Sequence, residues 1–171
     1  MIKKILYASD LGLYGPYMMQ HVVTLAERYG AKIVVVHAVE PLGVFADAVL
    51  ETYVEPDLVR DLKDRGLMEV MSTIRGQVME AFEDEFVEGL VDKSCIEDVV
   101  VKRGGPADVI LKEAEQRSVD LIVIGSHSEG DEHATMLGSV ASKVLQLSRV
   151  PVYMIPMVKR RSLGGSPLFR Y

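Results

Sequence analysis

The chain predicts an α/β protein: an open parallel sheet of five short strands with helices on both faces. Two observations carry that expectation. Runs that are apolar almost throughout, such as Leu121–Ile124 and the KIVVVHAV run of Lys32–Val39, suit strands buried on both faces. Between them lie segments with apolar residues at helical spacing, opened by proline or by a Gly-Ser pair, so strands and helices alternate as in βαβ units.

The elements follow in order. Ile2–Ser9 has a β-prone centre and ends at the turn signal Asp10-Leu11-Gly12. Pro16 suits the first turn of a helix whose stripe is Met18, Val22, Leu25, Ala26 and Tyr29, and Gly30 stops it. Lys32–Val39 is the second strand, closed by Glu40-Pro41. Leu42–Glu55 is apolar without a period and reads as irregular. From Pro56 to about Gly89 runs a long helical pattern with Leu67, Val70, Met71, Ile74, Val78, Phe82 and Phe86 as its stripe. Gly66 and Gly76 weaken it, each costing about 1 kcal/mol relative to Ala. Ile96–Lys102 is the third strand, and Arg103-Gly104-Gly105-Pro106 turns into a helix carried by Ala107, Ile110, Leu111 and Ala114 to Arg117. Leu121–Ile124 is the fourth strand. After a polar loop, Gly138-Ser139 opens a helix with Val140, Val144, Leu145 and Ser148 on one face, and Val152–Ile155 is the last strand.

With 171 residues, the chain suits one well-buried domain. We place it at residues 1–157, followed by a flexible basic tail at 158–171 in which Lys159-Arg160-Arg161 reads as solvated rather than as a contact for an acidic partner. A net charge of −6 argues against nucleic-acid binding, which needs a basic footprint. No apolar run approaches the roughly 20 residues that span a bilayer. One cysteine, Cys95, excludes an internal disulfide framework and reads as inert. With no secretory signal pattern at the N-terminus, a cytoplasmic protein without membrane contact is expected.

In an open parallel sheet, ligands bind beyond the carboxyl ends of the strands where strand order reverses. With the first strand central and the chain returning for the fourth, the loops at Asp10 and Gly125 flank that crevice. Gly125 allows a sharp turn and a close approach, and Gly138 and Ser139 offer N–H groups and a hydroxyl to phosphate oxygens. Asp10 can accept from an adenine amine or a ribose hydroxyl. The plainer roles are a turn cap for Asp10 and an N-cap for Ser139. His37 reads as a packed core residue and His21 as a helix-surface one. His127, Asp131, Glu132 and His133 match no compact metal spacing, and a solvated acidic loop is preferred over zinc or manganese.

These residues resemble the universal stress proteins. Gly125-Ser126-His127-Ser128, nine residues, then Gly138-Ser139-Val140-Ala141 is similar to that family's glycine pattern after its fourth strand, and GSVASKVLQLSRVPVYMI to its C-terminal signature. Ala8-Ser9-Asp10 resembles the strand-end Asp, and Arg103-Gly104-Gly105-Pro106 the Gly-x-Pro turn. The resemblance spans about residues 1–156. It implies a Rossmann-like sheet of the adenine nucleotide alpha hydrolase-like kind, ordered 3-2-1-4-5, and homodimers pairing through the last strand, Val152–Ile155.

For ligand binding it implies ATP, with Mg²⁺ or Mn²⁺ only as a counter-ion to the phosphates. Asp10, at the end of Ala8-Ser9-Asp10, and the backbone of Val39 face adenine. Gly125 lies near the ribose, and Ser128, at the motif's second glycine, counts among the binding positions. Gly138, Ser139 and Val140, leading into Ala141, hold the phosphates. One position departs, since Ser128 stands where the family has its second glycine, and Ser is sterically disfavoured if that backbone needs positive φ. Glu129, Asp131 and Glu132 add negative charge to the loop, and no Lys or Arg lies between Gly125 and Gly138.

A Walker loop is absent, a phospho-acceptor receiver lacks its acidic cluster, and a flavodoxin-like phosphate loop lacks hydroxyls at Leu11–Tyr14. No general base or nucleophile pair emerges, so no enzyme is expected beyond slow hydrolysis of bound ATP. Two functions remain: an ATP-binding sensor or regulator in a stress response, and a nucleotide-free dimeric adaptor of the same fold.

Overall fold

The computed structural model describes residues 1–12, 14–40, 93–127 and 137–157, together with isolated positions between 52 and 76. β1 (Lys4–Ala8), α1 (Gly15–Tyr29), β2 (Lys32–Val39), β3 (Ile96–Arg103), α2 (Pro106–Gln116), β4 (Leu121–Gly125), α3 (Ser139–Leu147) and β5 (Val152–Ile155) follow in chain order. The strands form one parallel sheet ordered β3-β2-β1-β4-β5. This is the expected 3-2-1-4-5 order, with element ends within two residues of those read from the sequence. The segment 42–55 and most of the expected 56–89 helix lie outside the described residues, as does the tail from 158.

Side chains alternate across the sheet with period two, which gives two cores. Ile5, Tyr7, Ile33, Val35, Leu121 and Val123 meet Met18, Met19, Val22, Val23 and Ala26 of α1. Leu6, Val34, Val36, Ile122 and Ile124 meet α2 and α3 on the other face. Every residue from Ile33 to Val36 is buried, which is why the strands read as unbroken apolar runs. Gly30 closes α1 in the left-handed conformation, φ 62°, its N–H donating to the last-turn carbonyls of Ala26 and Glu27.

Some helix faces differ from the expected stripes. α1 buries Met19 and Val23 and leaves Tyr29 at the surface, because helix and sheet meet along 18-22-26 and 19-23. α3 buries Ala141 and Val144, while Leu145 points outward with 40% of its surface exposed. On α2 the buried set includes Glu113, only 1% exposed, where its carboxylate meets Lys102 of β3 and Arg117. At the opposite end of the sheet, Asp120 Oδ2 accepts the Lys3 and Lys4 N–H groups at 2.7 and 3.0 Å, tying the start of β4 to β1. Those two backbone hydrogen bonds hold its carboxyl below the ordinary value. Among the described residues no helix is long and apolar enough to cross a membrane.

Candidate functional site

β1 is central, with β2 on one side and β4 on the other, so the loops leaving β1 and β4 diverge. Between them opens a cavity of about 590 Å³, within the range of small-molecule sites. Its walls are the end of β1 and the turn after it, Val36–Ala38 and Glu40, the start of α2 at Pro106, the end of β4, and Gly138–Ala141 at the start of α3. The two loops expected from the sequence are thus brought together across one crevice.

The β1 side is a tight turn built from its own polar groups. Ser9 Oγ accepts the Leu11 N–H at 3.2 Å, and Asp10 Oδ1 accepts the Gly12 N–H at 3.0 Å. Leu11 takes φ 59°, a conformation unusual for a residue with a branched side chain. Asp10 therefore does cap a turn, and it also lines the cavity. The Ser9 N–H continues the sheet, donating to Val36 O at 2.9 Å. Ser9 O accepts from the His37 ring, 2.8 Å from Nδ1. His37 was expected in the core; it sits half-buried on the cavity wall instead, because β2 reaches past its last pairing with β1 at Val36.

The α3 side is anchored by Ser126, 5% exposed and directly after β4. Its N–H donates to Ile155 O at 2.9 Å, its carbonyl accepts the Gly138 N–H at 3.0 Å, and its Oγ accepts the Met157 N–H at 2.8 Å. His127 Nδ1 lies 2.9 Å from the same hydroxyl. One residue so joins β4, β5 and α3. Gly138 is held against this strand end: a Cβ there would lie 3.1 Å from Ser126 O and 3.4 Å from His127 Cα.

The consequence is a helix start with donors to spare. The first bond of α3 runs from Ser142 N–H to Gly138 O at 2.9 Å, so the N–H groups of Ser139, Val140 and Ala141 have no acceptor within the helix. The N-cap, Gly138, has no side chain to cap them, and all three residues line the cavity. The helix dipole adds partial positive charge at the same point. This donor set fits a phosphate group.

Several sequence expectations are redistributed. Gly138 does not offer its N–H, which Ser126 occupies; its contribution is space, and the donors come from the next three residues. Gly138 is the N-cap and Ser139 the first helical residue. Gly125 is the last residue of β4 with φ outside the left-handed region, and its missing Cβ makes room for Met157 Cε, 2.9 Å from where that Cβ would be. Val39 is not on the cavity wall: its carbonyl turns toward β3 and accepts the Gly104 N–H at 3.0 Å, while Ala38 and Glu40 line the cavity. Ala8 and Ser9 are in place. Ser128 lies outside the described residues, as do Asp131, Glu132 and His133; among the described ones no metal-ligating group of three forms.

Sequence reasoning did not single out His37, Ser126 or Glu40 for this site. Only the position of Ser126, between a strand-ending glycine and the loop, hinted at a structural role. Electrostatically, the wall carries the carboxylates of Asp10 and Glu40 and the imidazoles of His37 and His127, and among the described residues no lysine or arginine lines it.

A family model described as the universal stress protein family matches residues 1–156. A universal stress protein of Methanocaldococcus jannaschii is 25% identical over 91% of this chain and 95% of its own length. One from Thermus aquaticus is 30% identical over 91% and 99%. The solved structure of the M. jannaschii protein matches at a TM-score of 0.63 and 26% identity, over 91% of this chain and 96% of that one. Two further solved structures share the fold. A universal stress protein in complex with cAMP gives a TM-score of 0.55 at 19% identity, over 91% and 97%. One from Arabidopsis thaliana with AMP bound gives 0.50 at 21%, over 90% and 91%. A parallel 3-2-1-4-5 sheet, a helix start on the cavity wall after a glycine-bounded stretch, and a match over nearly the whole chain agree: the chain belongs to the universal stress protein family.

Proposed function

We propose that the crevice binds an adenine nucleotide, ATP, and that the protein acts as a cytoplasmic sensor or regulator in a stress response rather than as an enzyme. The observation that carries this is the α3 start, where Ser139, Val140 and Ala141, whose N–H groups have no acceptor within the helix, line a cavity of nucleotide size. Each charge-assisted hydrogen bond from such a donor to phosphate contributes about 1.5–3 kcal/mol. The turn at Asp10 supplies an acceptor at the other side of the crevice, suited to an amine or ribose hydroxyl. Family members in complex with cAMP and with AMP support a ligand made of adenosine and phosphate. With no basic side chain on the described wall, a divalent cation, Mg²⁺ or Mn²⁺, would offset the phosphate charge that the backbone leaves over. Bound ATP would turn over slowly at most.

We further propose a homodimer pairing through β5. Among the described strands β5 ends the sheet beyond β4, and Tyr153 is 40% exposed. Unpaired strand edges template pairing with another chain.

A second reading, a nucleotide-free dimeric adaptor, is favoured by one observation: Asp10 and Glu40 make the described charge of the wall negative. Denaturing the purified protein and identifying released small molecules separates the two. Co-purified adenine nucleotide supports the first reading. Its absence, together with no saturable ATP binding at millimolar concentration with Mg²⁺ or Mn²⁺, leaves the second.

A further inference from the structure

The sheet ends on the cavity side with a bond that is not a ladder bond. The last β1–β2 pair is Ala8 with Val36, and one residue later the Ser9 N–H still reaches Val36 O. The Ser9 carbonyl, however, meets a side chain, His37 Nδ1, at 2.8 Å. A carbonyl oxygen can only accept, so Nδ1 carries the proton and the neutral ring is the Nδ1–H tautomer with its lone pair on Nε2. The carbonyl so gripped opens the turn in which Ser9 Oγ holds the Leu11 N–H and Asp10 Oδ1 holds the Gly12 N–H. That turn contains Leu11 at φ 59°, a backbone state that must be held by its surroundings. Ser9, Asp10, Leu11, Gly12 and His37 all line the cavity.

We propose that His37 is a positioning residue of the nucleotide site, its Nδ1–H fixing the Ser9 carbonyl so that the following turn presents the Asp10 carboxylate to the crevice. This rests on the ATP-binding reading, but the hold on the turn exists without ligand. His37 acts through Asp10 and need not touch the nucleotide.

Two substitutions separate donation from bulk. The amide nitrogen of Asn stands where Nδ1 stands, and that of Gln stands where Nε2 stands. In the ligand-free protein, amide hydrogen exchange at Leu11 and Gly12 should quicken about tenfold in His37→Gln and stay within about threefold of wild type in His37→Asn, as expected for loss or retention of one hydrogen bond. Affinity for ATP with Mg²⁺ should fall about tenfold in His37→Gln and be largely kept in His37→Asn. In an Asp10→Ala background, His37→Gln should cost no further affinity, since the two act as a unit. Unchanged exchange in His37→Gln, or equal losses in both variants, overturns the proposal, as does strict additivity with Asp10→Ala. Nitrogen NMR of the wild-type ring tests it without any substitution: a neutral ring protonated at Nε2 instead of Nδ1 also overturns it. If the wild type binds no ATP, the ligand reading fails while exchange and tautomer still decide the role of His37.

Discussion

Ser126 carries more of the site than its size suggests. Its N–H, carbonyl and hydroxyl are each engaged, and the Met157 N–H it accepts is a buried donor. Ser126→Ala leaves that N–H without its acceptor, and we expect a loss of about 1–3 kcal/mol in urea denaturation, with β4 and β5 still paired. A loss under 0.5 kcal/mol would mean that another group takes the donor. Gly138 is the second sensitive position. In Gly138→Val the Cβ meets Ser126 O at about 3.1 Å, so the strand end or the helix start must give by a few tenths of an ångström. ATP affinity should drop at least tenfold, equivalent to about 1.4 kcal/mol, while far-ultraviolet circular dichroism stays native. The sequence marked Gly138 through its place in a glycine-bounded loop before a helix. It could not show that Ser126 takes the Gly138 N–H, or that Val39 turns its carbonyl away toward Gly104, because such facts depend on neighbours far along the chain.

α2 shows the same division at the level of an element. Proline at its first position and its apolar spacing were readable, and the helix runs Pro106–Gln116. Glu113 sits on the buried stripe between Ile110 and Ala114, and its type argued for solvent. What buries it is charge from elsewhere: Lys102 of β3, and Arg117, which bonds Oε2 at 3.0 Å and also pairs with Asp98 at 3.0 Å. Burial pushes the Glu113 carboxyl up, but the hydrogen bonds and charges of Lys102 and Arg117 outweigh it and leave it below 4.5. Arg117 is shifted the other way, upward: burial opposes its charge, and the bonds to Glu113 and Asp98 more than compensate. A depressed carboxyl stabilises the fold fully above its unfolded value near 4.5, and that stability is lost as pH falls through the lower folded value. Glu113→Gln should therefore be less stable at pH 7, by about 1–3 kcal/mol since both cations keep some contact with water, and should show a flatter acid limb as pH falls below 4.5. Parallel limbs for the two proteins would contradict this. For α3, an apolar face at helical spacing was legible, but not that Ala141 rather than Leu145 meets the sheet, since that depends on how the helix is rotated by the Gly138 contact.

At the scale of the whole molecule, the covered parallel sheet followed from the alternation of elements, because apolar runs without period two demand a sheet covered on both faces. Its order came from the resemblance to the universal stress proteins, and the crevice from taking the first strand as central. The state of assembly does not follow from that logic. If β5 pairs with a second copy, light scattering at micromolar protein should give twice the chain mass, and Tyr153→Lys on that strand should shift it toward the single chain. A single-chain mass for the unaltered protein would contradict the dimer. The central claim is that the α3 start and the Asp10 turn together hold an adenine nucleotide. Calorimetric titration of ATP into the protein, with and without Mg²⁺ or Mn²⁺ and beside Gly138→Val, tests it most directly. The account predicts saturable binding at one nucleotide per chain, strengthened by the cation and at least tenfold weaker in the variant; no saturation at millimolar ATP with either cation would contradict it.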